Sequence, residues 1–441
     1  MTNTPASPGT ATDDQDATAE EVAGVEVGER RISIPGMTEE GENLAAETNS
    51  ASDHSHGGVG ESEKKPLTSG VGSRANRHTG FDLADFPEPK GREEEWRFTP
   101  IKKLAGVLSD AASDADAVEQ QVSAPDAVTV SSLAEGAAPR HSVLQPADRA
   151  AVVAVKNAGE ALHVSVPADA EIDEPVRVQI TGQDAARREN SHIVLETGVN
   201  SKAVFVLEHR GTAQFNGNVE TIVGEGADVR VISLQRWEDD AVHVGQHDAE
   251  VGKDASYKHV AVSLGGAVIR LNTNFRYAAE GAEAEMYGLY FADSGQHIEH
   301  RTFVDHNSPR NTSNVLYKGA LQGESARTVW VGDVLIRAEA EGTDSYEKNQ
   351  NLILTDGARA DSVPNLEIET GVIEGAGHAS STGRFDENHL FYLMARGIPE
   401  REARQLVVRG FLHEIIQTIG VDSIEESLAE DLENELEIAG F

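Results

Sequence analysis

Residues 288–321 read GLYFADSGQHIEHRTFVDHNSPRNTSNVLYKGAL. Three β-rich runs lie in or across this stretch, MYGLYF, RTFVDH and NVLYKGAL, and polar DSG and NSPRN segments separate them. Alternation of period two with Gly, Asp, Asn and Pro at the boundaries is the pattern of short strands. The same texture continues outward over about 145–380, through AVVAV, ALHVSV, VRVQI, HIVLE, AVFVLEH, VRVISLQ, KHVAVSL, VIRLNTNF, TVWVGDVLI and NLILT. No amphipathic helix separates these runs, so neither a doubly wound α/β sheet nor an α/β barrel is expected.

A loose repeat runs through this region: Gly, one or two polar residues, Ala or Ser, then an alternating strand. It recurs as GEGADVRV, GKDASYKHV, GAEAEMYG, GESARTVWV, GTDSYEKN and GARADSV. Its spacing is irregular, which argues against a propeller of equal blades. Stacked coils of a β-solenoid tolerate unequal loops while keeping one small inward residue per turn. On the residues alone, a solenoid and an antiparallel sandwich stand as equal alternatives.

Three further regions flank this core of 141–385. Residues 1–80 are acidic and poor in large apolar side chains, and are expected to stay disordered because they cannot bury enough surface to offset ordering entropy; HSHGG at 54–58 belongs to this tail. Over 81–140, Phe86, Trp96, Phe98, Ile101, Leu104 and Leu108 partly follow a helical spacing, which predicts a small helical region with Trp96 anchoring it to its neighbour. In 386–441, Asp386 is a candidate N-cap for ENHLFYLMAR, Gly397 fits its C-terminal close, and Pro399 opens a second helix. Leu406, Val407, Phe411, Ile415 and Ile419 form a stripe on that helix wide enough to face a partner or the β core. No Lys or Arg follows Arg409, so the acidic end suits a basic partner surface.

Composition sets firm exclusions. The 441 residues contain no Cys, which rules out disulfides, a thiol nucleophile and any self-sufficient thiolate cage. The formal net charge of −38 argues against nucleic-acid and anionic-membrane partners. No run approaches the about 18 apolar residues of a membrane span, and the first residues lack the basic and apolar blocks of a secretory signal, so a cytoplasmic location is expected. No GxxxxGK[ST], HExxH or GxSxG motif occurs in a credible context, and GVGSRANR at 70–77 lacks both the lysine and a preceding strand.

Histidines are the remaining candidates for chemistry. His297, His300 and His306 suggest a metal set, and with it a β-helical or cupin-like metalloenzyme. Strand geometry opposes that, since His300 and His306 share one face about 20 Å apart while His297 points the other way. His378, in EGAGHASSTG, lies among small residues that leave its ring open to an incoming chain, and a neutral imidazole is a competent iron ligand.

The order of motifs resembles the SufB/SufD family of iron–sulfur cluster assembly scaffolds. The likeness is carried by Gly-Leu-Tyr at 288–290, His-x-x-His-Arg-Thr at 297–302, Ser-Asn-x-x-Tyr-Lys-Gly at 313–319, Asp-Gly-Ala-x-Ala at 356–360, His378, and the Leu-Phe-Tyr-Leu and Arg-Gly-Ile runs up to 398. With EEEWRFTPIKKL at 93–104 it spans roughly 80–420. The resemblance implies a mainly β protein, a right-handed parallel β-helix flanked by N-terminal and C-terminal helical segments. It implies a non-catalytic subunit that pairs with a SufB-type scaffold subunit and binds a SufC-type ABC ATPase through its C-terminal helices, with a homodimer as the isolated form. It also places His378 where the two scaffold subunits meet and build a transient iron–sulfur cluster, with no cofactor held stably by the chain alone. Many members carry Cys two residues before this His, where this chain has Ala376. The missing thiol favours the SufD-type side of the family and leaves the sulfur ligands to another chain.

Overall fold

The computed structural model of the chain describes residues 73–385 and 387–438. The expected tail over 1–72, with its HSHGG run, and Asp386 as N-cap lie outside them. In chain order the elements are α1 (Ala105–Leu108), β1 (Val118–Ser123), β2 (Thr129–Leu133), α2 (Arg149–Asn157), β3 (Ala161–Val166), β4 (Val176–Thr197) and β5 (Lys202–Val223). Then come β6 (Asp228–Trp237), β7 (Val242–Val251), β8 (Ser256–Leu264), β9 (Val268–Tyr277), β10 (Glu283–Ala292) and β11 (His297–His306). The chain ends with β12 (Thr312–Leu321), β13 (Arg327–Ile336), β14 (Thr343–Ile353), β15 (Arg359–Ile368), β16 (Ile373–Arg384), α3 (Glu387–Met394), α4 (Glu400–Ile416) and α5 (Asp422–Ile438).

From β6 onward, even-numbered strands stack into one parallel wall ending at β16, and odd-numbered strands into a second ending at β15. The walls join at β5, whose first half pairs with β6 and second half with β7. The result is a parallel β-solenoid of about eight turns, which removes the sandwich alternative. Register partners in the even wall lie from 27 residues apart (Ser256 to Glu283) to 32 (Thr312 to Asp344). That spread explains the uneven spacing of the sequence repeat, since length variation is absorbed at the corners.

The motifs of 288–321 are a packing device. β10 and β12 pair so that Gly288 faces Tyr317 and Tyr290 faces Gly319 across adjacent coils. A Cβ on Gly319 would fall 1.8 Å from the Tyr290 ring, and one on Gly288 2.0 Å from the Tyr317 ring. Each glycine therefore clears the space that its neighbour's ring fills, and both rings are fully buried in the lumen.

Helices and turns cover the outer faces of both walls. Val408, Leu412, Ile415 and Ile416 of α4, with Leu428 and Leu432 of α5, pack on Ile232, Leu234, Val260, Val262, Leu289 and Phe291 of the even wall. Lys318 of β12 is held there by Glu414 and by the Phe411 carbonyl (3.2 Å). On the odd wall, Trp96, Leu104, Val107, Leu108 and Ala150 pack on Val242, Val244 and Val268, and the Arg270 guanidinium sits 4.1 Å over the Trp96 ring.

Three expectations are corrected. The region 81–140 is not a helical unit: it holds 3-10 turns at Leu83–Asp85 and Ile101–Leu104, the single turn α1, and the strands β1 and β2. Pro87, Pro89 and Pro100 break it up, and its spaced apolar residues anchor a strap rather than fill one helix face. Residues 73–80, assigned to the tail, already touch the solenoid, with Ser73 donating to Glu367 (2.6 Å) and Arg77 to Asn274 (3.0 Å). The run AVVAV, read as a strand, lies in α2, where the Asp148 side chain accepts from the Ala151 N–H at 3.0 Å and caps the helix.

The Gly–Tyr reciprocity gives a direct test. Gly319→Ala should destabilise the fold by about 1–3 kcal/mol or more through overpacking against Tyr290. In a denaturant-unfolding double-mutant cycle, Gly319→Ala with Tyr290→Ala should cost less than the sum of the single changes. Strict additivity is the result that excludes the contact as the cause.

Candidate functional site

The two ends of the solenoid differ. At the N-terminal end β1 runs antiparallel to β4, and β2 antiparallel to β3, so the first coil is covered. At the C-terminal end β15 pairs only with β13 and β16 only with β14. Among the described residues, one edge of each of these strands has no strand beside it, and most side chains of β16 are exposed or half-buried.

His378 sits on this open rung. It is in register with Glu347 of β14, one coil inward, so its ring faces along the lumen. The side chain is 43% exposed, and its Nδ1 lies 3.9 Å from Glu347 Oε1. The neighbours Ala376, Gly377, Ala379 and Ser380 leave it uncovered, as the sequence leads one to expect.

Glu347 is the residue that sequence reasoning missed. It occupies the inward phase of β14 with Ser345, Asn349 and Asn351, and its side chain is fully buried. Neither carboxylate oxygen has a partner at hydrogen-bond geometry. Burial is the main cause, and the nearby negative Asp333 the second, that push its pKa up to about 8 against the smaller pull of the Asn365 backbone amide. Gly332 makes room for it, because a Cβ there would meet Glu347 Oε2 at 2.4 Å. The signal was available: counting by two along GTDSYEKNQN puts a lone acid among inward polar residues.

Beneath this pair the lumen is polar and well connected. Tyr290 donates to Asn351 (2.7 Å), Asn349 donates to the Tyr290 oxygen (2.8 Å), and Ser362 donates to Asn349 (2.5 Å). Tyr290 stacks on His300, with ring centroids 5.4 Å apart. The carboxylate of Glu347 stands outside this network.

The other candidate residues are placed differently. His297 turns outward to Glu299 (3.2 Å), His300 points inward to Ser263 (3.2 Å), and His306 inward to Ser313 (2.9 Å). Burial lowers the pKa of His300 and His306 to about 3 each, so both are neutral structural rings. The three do not converge, and among the described residues no group of three or more His, Asp or Glu side chains could hold a metal ion. On α4, Ile415 is fully buried, and Leu406, Val407 and Phe411 are half-buried. Of the stripe read as facing a partner or the β core, Phe411, Ile415 and Ile419 pack with the even wall; on α3, Phe391, Tyr392 and Met394 are exposed apolar side chains.

A buried carboxylate whose pKa is raised costs stability as pH climbs. Below about 4.5 both folded and unfolded chains carry the proton. Between there and about 8 the unfolded chain ionises while the folded chain does not, so stability falls as pH rises through this window. Glu347→Gln should therefore raise the thermal midpoint by a few degrees at pH 8 and change it little at pH 4.5, as scanning calorimetry can measure. An equal shift at both pH values would show that the carboxyl charge is not responsible.

Residues 178–411 match the family model described as "SUF system FeS cluster assembly, SufBD core domain". An iron–sulfur cluster assembly SufBD family protein of Mycobacterium bovis is 48% identical over 364 residues, covering 81% of this chain and 92% of its own length. One from Mycobacterium leprae is 46% identical over the same length, covering 81% and 93%. A second SufBD family protein from M. leprae is 27% identical over 267 residues, covering 59% of this chain and 30% of its own length. With more than half of its residues inside the family model and two relatives of 46–48% identity matched over more than nine-tenths of their length, this chain belongs to the SufBD family of iron–sulfur cluster assembly proteins.

Proposed function

We propose that the chain is the SufD-type, non-catalytic subunit of a cytoplasmic scaffold complex. The open end of the solenoid docks a SufB-type subunit, and a SufC-type ABC ATPase binds the C-terminal helices. The observation that carries this reading is the contrast between the ends: one is capped by antiparallel strands, and the other, among the described residues, presents two uncovered strand edges, one of them on the strand that carries His378. Uncovered edges invite pairing with another chain, and a second solenoid with the same rung geometry fits them best. A homodimer of the isolated chain would use the same surface.

Further observations support the assignment. M. leprae has one family member close to this chain and one more distant, as a two-subunit scaffold requires. The absence of Cys means that a cluster built at this end takes its thiolates from the partner and iron coordination from His378. Iron and sulfide are cargo here, held transiently at the interface. On α3, Phe391, Tyr392 and Met394 are exposed large apolar side chains, a surface suited to an apolar partner face. Among the described residues no helix is long and apolar enough to cross a membrane.

Co-expression with the neighbouring open reading frames tests the whole reading. A Cys-containing family member and an ABC-type ATPase should be retained on the tagged chain. His378→Ala should leave this complex intact and reduce cluster formation at least about tenfold, followed by absorbance under anaerobic conditions. Phe391→Asp should release the ATPase while sparing the scaffold pair. Recovery of the chain alone with stoichiometric metal would favour an enzyme instead, and unchanged cluster formation in His378→Ala would leave that residue only structural.

A further inference from the structure

Resting on the reading of His378 as an iron ligand, we infer that Glu347 and His378 together form a two-donor half-site for ferrous iron on the open rung. Three observations carry this. First, Glu347 is a fully buried carboxylate with no hydrogen-bond partner on either oxygen. An uncompensated group of this kind is expensive to keep, whereas every neighbouring polar side chain named above, Asn349, Asn351, Ser362 and Tyr290, is satisfied. A metal ion that displaces the carboxyl proton to solvent is a partner that its surroundings do not supply.

Second, the spacing fits one ion. Donors each about 2.1 Å from a metal stand between ~3 Å apart at a right angle and ~4.2 Å apart in line. Nδ1 of His378 and Oε1 of Glu347 are separated by 3.9 Å. The His378 ring is 43% exposed, which leaves a path for the ion to enter.

Third, the donor set suits the cargo. One imidazole and one carboxylate match ferrous iron, and a soft thiolate-seeking ion would find no sulfur here. Two donors leave most of the coordination sphere unfilled, and the unfilled side faces the open end, where a docked chain can bring thiolates. The half-site would thus hold iron in place before sulfur arrives.

The test uses the full chain, freed of metal by chelation and titrated with ferrous iron under anaerobic conditions by calorimetry. Wild type should show one saturable site, and both Glu347→Gln and His378→Ala should weaken it about tenfold or more. Weaker adventitious binding to acidic surfaces should persist unchanged in both variants. Loss in His378→Ala with full retention in Glu347→Gln overturns the role of Glu347 and leaves the scaffold reading standing. A wild type with no site sensitive to either change overturns the half-site outright; cluster formation by the His378→Ala complex then decides the scaffold reading separately. A thermal midpoint of Glu347→Gln no lower than that of wild type, measured in the same buffer, shows that a loss of binding in it is not unfolding.

Discussion

Every coil of this solenoid is completed by the next one. Within the two walls, backbone N–H and C=O groups of one rung find their partners on the rungs before and after it, and the inward side chains pack against those of nearby rungs. Tyr290 is accommodated because Gly319 follows one coil later, and Tyr317 because Gly288 precedes it by one. Such a stack has no natural stopping point, so each end needs a separate solution. The N-terminal end is finished by strands that reverse direction. The C-terminal end, over the described residues, is left for something else to finish.

The lumen is unusual in how many polar side chains it accepts. His209 and His259, with pKa values lowered to about 4 by burial, are buried without charge, as are His300 and His306. A buried network of charges lies on the outer face of the odd wall, where Arg270 binds Asp148 (2.5 Å) and Glu299 (3.3 Å), and Thr99 of the N-terminal strap donates to Glu299 (2.8 Å). Buried ion networks of this sort add little net stability but are costly to break in part. This one fixes where the strap and α2 meet the wall. Against this background Glu347 is an acid placed in the lumen with no partner at hydrogen-bond geometry on either oxygen.

The sequence made the strands legible because inward and outward positions alternate at every rung, and the structure keeps that phase. It did not distinguish stacked coils from a sandwich, since both write the same period of two and differ only in pairings between residues about 30 apart. The family resemblance, and not the residue pattern, pointed to the solenoid. Short apolar runs misled for a known physical reason: AVVAV carries no phase long enough to separate a strand from a helix, and the cap at Asp148 decides the matter. The α4 stripe was correctly seen as apolar, but amphipathicity alone does not say which surface it meets; Ile415 meets the chain's own wall. His378 could be found because small neighbours mark it. Glu347 was hidden in a polar strand, and its significance depends on a register with β16 that no local pattern encodes.

Where the chemistry must occur follows from packing and composition together. Ring for ring, the lumen around Tyr290, Tyr317, His300 and Trp330 is filled, so this part of the solenoid offers no chamber for a multi-iron core. The outer faces are occupied by helices and the strap. Cluster iron needs several soft ligands, and the chain has no Cys to provide them. Hard and borderline donors reach the surface from the lumen at the open rung, where Glu347 and His378 stand in register. On the proposed scaffold reading, a chain built in this way would hold one side of a nascent cluster without enclosing it, and the strand edges left uncovered among the described residues are the surface that this reading needs.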